Sequence, residues 1–176
     1  KNTDIYEYSL GSGTSLEMPK ELTSHSSIET EPVLSPDGKM LAYVSDRTGA
    51  PQIYIMDLNS KKATRISKEG GYNTSPAWSP DSSMVAYTSQ RSGSRSAIYR
   101  VRIDDKLSTQ TRVSPENISS ESPTWSPDGS MVAFQGWQKG AWKIFYVLST
   151  GGPAERLTNS SQWMIETGPS WSSRLK

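Results

Sequence analysis

One phrase recurs along this chain and limits what it can fold into. "SPDGKMLAYVSDRTGAPQIYIMDL", beginning at Ser35, returns as "SPDSSMVAYTSQRSGSRSAIYRVRI" and again as "SPDGSMVAFQGWQKGAWKIFYVLS". Aligning the copies on the proline ahead of each turn sets Pro32, Pro76, Pro123 and Pro169 in register, about 44 to 47 residues apart. That period belongs to four-stranded propeller blades. Each copy opens on a short first strand ("PVL", "PAW", "PTW", "PSW") and a Ser-Pro-Asp-Gly turn. In such a turn proline presets the first dihedral, Asp bonds the local backbone and Gly accepts a positive φ. Ser82 replaces that glycine in the second full copy, which predicts a slightly strained turn.

The second strands, "MLAYVS", "MVAYTS" and "MVAFQG", are apolar on both faces. A strand with one wet face alternates, so these sheets are expected to be covered on both sides, as stacked blades are. Third strands ("QIYIMDL", "AIYRVRI", "KIFYVLS") and fourth strands ("ATRIS", "QTRVS", "AERLT") complete a meander. A helical reading fails because Pro, Gly and β-branched residues punctuate the chain too often.

The fold is therefore all-β, a propeller of antiparallel four-stranded blades. Residues 1–30 form the back half of a blade, 31–73, 74–120 and 121–165 are full blades, and 166–176 hold the first strand of a closing blade. Two arrangements satisfy about four blades' worth of chain: a small closed ring, or an arc of a six-bladed ring.

Composition narrows the chemistry. The formal net charge of +1 offers no general attraction to nucleic acid or anionic membranes. The absence of cysteine removes disulfides, thiol catalysis and Cys-based zinc sites. No apolar run reaches the roughly 20 residues of a membrane span. The single His25 has no partner pattern for zinc, and no Gly-x-Ser-x-Gly elbow accompanies it. "GSGTSL" from Gly11 is a broken dinucleotide fingerprint and reads as a hairpin loop. Asp37, Asp81 and Asp128 are turn residues, and Trp78, Trp125 and Trp171 are packing residues between blades. No catalytic residue, metal site or cofactor is expected.

What repeats builds scaffold; what varies carries specificity. In a four-stranded meander the second-to-third loops share a face with the links between blades. That face should carry Asp46, Arg47, Tyr72, Asn73, Arg91, Arg95, Trp137, Lys139, Trp142 and Trp163. Exposed aromatics beside Arg have the composition of interface anchors. Trp137, Trp142 and Trp163 are the expected anchors, with Lys139, Arg47, Arg91, Arg95 and Tyr72 around them. Glu31, Ser75 and Ser122, each just before its aligned proline, are expected at the channel mouth.

The phrases "EPVLSPDGKMLAYVSDRTGAPQIYIMDL" and "GGPAERLT" resemble the Pro-Asp β-propeller repeats of the TolB-like family, over nearly the whole chain. The resemblance implies a non-catalytic, protein-binding propeller of the bacterial envelope, periplasmic or extracellular, with envelope lipoproteins or Tol-type proteins as partners and no membrane insertion. The way the chain finishes, "PSWSS", is similar to a TolB propeller's end, which implies that Lys176 lies near a natural terminus. The family's Ser-Asp-Arg stands intact only as Ser45, Asp46 and Arg47; it is Ser89, Gln90, Arg91 in the next copy and lost in the last. The same repeat occurs in propellers that gate prolyl-oligopeptidase-like hydrolases and in some polysaccharide lyases, which supplies the alternative function.

Overall fold

A computed structural model describes residues 2–8, 18–68, 70–104, 109–161 and 163–172. The "GSGTSL" hairpin loop expected from the sequence lies outside these residues. The chain opens with a short antiparallel hairpin, β1 (Tyr6–Glu7) and β2 (Lys20–Glu21). Three four-stranded antiparallel sheets follow, each in simple meander order. The first blade is β3 (Glu29–Leu34), β4 (Met40–Ser45), β5 (Gln52–Asp57) and β6 (Ala63–Arg65). The second is β7 (Tyr72–Trp78), β8 (Met84–Gln90), β9 (Ala97–Arg102) and β10 (Gln110–Arg112). The third is β11 (Ser119–Trp125), β12 (Met131–Gln138), β13 (Ala141–Leu148) and β14 (Glu155–Arg156). The four sheets form an open arc among the described residues. No helix among them is long and apolar enough to cross a membrane.

The second strands are buried on both faces, as their unbroken apolar runs require, and the faces alternate between neighbours. Leu41 and Tyr43 of β4 pack on Ile5 of the N-terminal segment, while Ala42 and Val44 join Val85 and Tyr87 of β8. Ala86 then packs forward with Val132 and Phe134 of β12. Burying one such side chain fully is worth about 1.5–3 kcal/mol, so each interface stands on several of these residues together.

The first-strand tryptophans join successive blades. Trp78 Nε1 donates to the carbonyl of Val33 at 2.9 Å, Trp125 Nε1 to that of Ala77 at 3.0 Å, and Trp171 Nε1 to that of Thr124 at 3.3 Å. The three acceptors are equivalent positions of the three preceding repeats. Trp171 takes this place although residues 168–171 form no strand, because no second strand lies beside them among the described residues.

The Pro-Asp turns are built alike. Ser35, Ser79 and Ser126 each donate to the aspartate two residues on, at 2.6 Å, and accept from the N–H of Met40, Met84 or Met131 at 2.9 Å. These bonds, first the serine hydroxyl's, hold the carboxyls of Asp81 and Asp128 down at about 2. The aspartates are turn clamps. Ser82 has φ of 59°, where its counterparts Gly38 and Gly129 both have 72°. Its hydroxyl accepts the Asp37 N–H of the preceding blade at 3.1 Å, which offsets the strain of a left-handed serine.

Candidate partner-binding face

In the third blade the repeat departs from its pattern and lengthens. β12 and β13 run on to Gln138 and Ala141, joined by Lys139 and Gly140 at φ of 49° and 85°. Two adjacent residues in this region form a tight turn whose twist suits a hairpin. Trp137 and Trp142 are therefore strand residues facing each other directly across the ladder, and not loop residues as the sequence suggested. Their rings meet edge to face, centroids 5.4 Å apart, an arrangement worth about 0.5–1.5 kcal/mol beyond burial. Trp137 remains 45% exposed and Lys139 is exposed at the turn.

Beside this pair runs the exit link, carrying Trp163, Met164 and Ile165 at 83, 56 and 67% exposure. The link is held against the hairpin: the Glu166 N–H donates to the Trp142 carbonyl at 3.1 Å. From below, the buried Lys143 ammonium donates to Ser160 Oγ at 2.7 Å and to the carbonyls of Ser161 and Met164 at 2.7 and 2.6 Å. All three ammonium hydrogens are matched, which a buried cation needs. Hydroxyls of Ser160 and Thr158 hold the Glu166 carboxyl below its ordinary value, keeping a negative charge close to that ammonium. The exposed apolar side chains thus sit on a fixed backbone.

The other expected residues divide. Arg47 turns inward: it pairs with the fully buried carboxylate of Glu29, donates to the Tyr43 hydroxyl at 3.0 Å, and lies 4.5 Å from the Tyr54 ring centroid. Its side chain is only 20% exposed, so it braces the first blade and leaves little to offer a partner. Asp46 accepts from the Ile28 N–H at 2.8 Å and ties the loop after β4 to the segment ahead of β3. Asn73 is fully buried and donates to Gln52 Oε1 at 2.8 Å. Tyr72, Arg91 and Arg95 are exposed on the second blade, Tyr72 between two clefts of about 230 and 130 Å³.

Glu31, Ser75 and Ser122 come together as one structural motif. Each sits in a first-strand bulge, with φ of 52°, 54° and 54°, and Gly168 repeats the position at 63°. The following proline cannot donate to the ladder, so the strand bulges there. Every bulge N–H described after the first is capped from the blade before. Thr88 Oγ1 accepts from Ser122 at 3.1 Å and Gln135 Oε1 from Gly168 at 3.2 Å. Val44 holds that position in the first blade and has no acceptor, so the Glu31 carboxylate takes the Ser75 N–H at 2.5 Å instead.

Sequence reasoning overlooked one third-strand position: Gln52, Ala97 and Lys143, paired with Ser45, Ser89 and Gly136. A glutamine and a lysine at the same repeat position of otherwise apolar strands were the available signal. Among the described residues no group of three or more His, Cys, Asp or Glu is placed to hold a metal ion.

A family described as the TolB beta propeller domain matches residues 1–175. The Tol-Pal system protein TolB of Desulfosudis oleivorans is 46% identical over 52 residues, 30% of this chain and 12% of that protein. The crystal structure of TolB from Acinetobacter baumannii superposes with a TM-score of 0.71 at 28% identity, over 86% of this chain and 37% of that one. A puromycin-hydrolyzing peptidase of Mycobacterium tuberculosis matches with a TM-score of 0.66 at 19% identity, over 81% of this chain and 24% of that one, a likeness of fold alone. The chain thus spans well under half the length of these relatives.

Proposed function

The chain belongs to the TolB β-propeller domain family, and from that premise we propose that it is a non-catalytic scaffold that captures a protein partner in the bacterial envelope. The observation that carries the reading is the group of exposed apolar side chains on the third blade and its exit link. There the paired Trp137 and Trp142 adjoin Trp163, Met164 and Ile165 on a link pinned by Lys143. Large aromatic side chains held rigid in the free protein lose little entropy on binding and anchor interfaces accordingly. Lys139 at the hairpin tip gives the patch a polar rim. Tol-type proteins and envelope lipoproteins are the partner class, and the periplasm the compartment, because the curated relative is a Tol-Pal system protein.

The test is Trp163→Ser, which removes an 83% exposed ring without disturbing the blade. Capture of the soluble domain of a peptidoglycan-associated lipoprotein, measured by surface plasmon resonance, should weaken at least tenfold at unchanged melting temperature. Full-strength capture by the variant would refute the assignment. The second reading, a propeller that gates a hydrolase, draws on the likeness to the M. tuberculosis peptidase, where sequence identity is 19%.

A further inference from the structure

The third-strand residue paired with Ser45, or with its counterpart Gly136, is a polar hub in two blades, and the hub is missing from the other. In the first blade Gln52 Oε1 accepts three hydrogen bonds: from Arg65 Nη2 at 2.8 Å, Ser67 Oγ at 2.7 Å and Asn73 Nδ2 at 2.8 Å. In the third blade Lys143 fills the position. In the second blade the residue is Ala97, and its side chain reaches none of this.

Two of the three donors that Gln52 serves have nevertheless stayed, while Ser120 stands in the place of Asn73 and turns its hydroxyl to the Ile118 carbonyl at 3.0 Å. Arg112 occupies the register of Arg65, opposite Tyr99 as Arg65 is opposite Tyr54. Ser114 repeats Ser67: each hydroxyl accepts the N–H of the second residue of β9 or β5, Ile98 at 2.9 Å and Ile53 at 3.0 Å. Ser67 passes its own hydrogen to Gln52, whereas the 4% exposed Ser114 hydroxyl has no acceptor among the described residues. Arg112 turns its Nη2 to the Pro115 carbonyl at 3.0 Å. A cavity of about 810 Å³ opens at this place, its lining including Arg95, Ala97, Tyr99, Arg112 and Glu116. Arg95 makes no hydrogen bond or ion pair among the described residues, and it is exposed at the rim.

We propose that this cavity in the second blade is a carboxylate-binding site, in which a ligand oxygen takes the place that Gln52 Oε1 fills in the first blade. Arg112 supplies donors from the lining and Arg95 closes over the rim. Guanidinium–carboxylate bonds are charge-assisted and are the strong kind. The carboxylate comes either from a free small acid or from a Glu or Asp side chain of a bound peptide. The second source rests on the protein-binding reading above; the first does not.

The experiment is isothermal titration and amide NMR on the whole chain with glutarate, with a blocked triglutamyl peptide and with its triglutaminyl counterpart. The expected result is binding of one or both acidic probes with shifts at Ala97 and Ser114, and none with the glutamine peptide. Ala97→Gln installs the hub that the first blade carries and should abolish binding, and Arg95→Gln, an exposed change, should weaken it about tenfold. Binding of glutarate alone supports the site with a free acid as its ligand; binding of the peptide ties it to partner capture. Silence of both acidic probes overturns the proposal, as does undiminished binding by Arg95→Gln. Because Trp163 lies on the exit link of the third blade, failure of lipoprotein capture leaves the glutarate result unaffected, and silence of glutarate leaves the capture test standing.

Discussion

Removing Arg47 tests whether the first blade stands on a buried charge pair. The Glu29 carboxylate is fully buried, and the Arg47 guanidinium, 20% exposed, is the cation that faces it. Breaking such a pair from one side costs about 3–5 kcal/mol, because the remaining charge stays buried without its partner. The partial exposure of Arg47 puts the expectation at the lower end, about 3 kcal/mol. Loss of the stacking on Tyr43 and Tyr54 adds roughly 0.5–1 kcal/mol. For a chain of 176 residues, about 3 kcal/mol lowers the melting temperature by roughly 6–12 °C. The assay is urea denaturation of Arg47→Met, of Glu29→Gln and of the double variant. The double variant should be more stable than the sum of the two single losses by at least about 1.5 kcal/mol, since it leaves no orphaned charge. An Arg47→Met variant within about 1 kcal/mol of the parent, or strictly additive losses, would refute the reasoning. Partner capture per folded molecule should be unchanged, because Arg47 points into the blade.

Two further outcomes follow from the packing and from the turns. Gly136→Ser, which restores the residue of the other two repeats, should destabilise by about 1–3 kcal/mol in thermal unfolding: its Cβ would lie 2.7 Å from Ile118 and from the Phe145 ring. In acid, the depressed carboxyls of Asp81 and Asp128 contribute stability that is complete above the ordinary value of 3.8. That contribution is lost as the pH falls towards about 2, where the folded form also takes up its proton. Asp81→Asn with Asp128→Asn should flatten the decline of melting temperature between about pH 4 and 2, and a slope equal to the parent's would count against the turn clamps.

The blades were legible because their signals are local and repeated. Proline, Asp and Gly mark each turn, and two-sided apolar strands demand neighbours on both faces, so meander, stacking and the packing role of Trp78 and Trp125 could all be read from spacing. What escaped is three-dimensional. Nothing local says that Arg47 folds back onto Glu29, because the two meet only when β3 pairs with β4. "GWQKGAW" reads as a loop because it holds two glycines, yet Gly136 is there to admit Phe145 and Gly140 to turn a hairpin. The loss of Ser-Asp-Arg in the third blade likewise has a packing reason. Tyr43 and Tyr54 give way to stacked Phe134 and Phe145, and without hydroxyls there is no polar cluster for an arginine to join.

The tryptophan bonds between blades bear on how such chains change length. Each indole reaches back to the same carbonyl of the repeat before it, so every joint has the same plug and socket. A recombination event that cuts at two equivalent prolines, such as Pro76 and Pro123, removes one whole repeat and brings Trp125 to the Val33 carbonyl that Trp78 used. The joint re-forms with its own chemistry intact. Blade number is then a quantity that gene duplication and deletion adjust in whole steps, while the bulge caps and hub positions, which differ from blade to blade, record where each copy has since gone its own way.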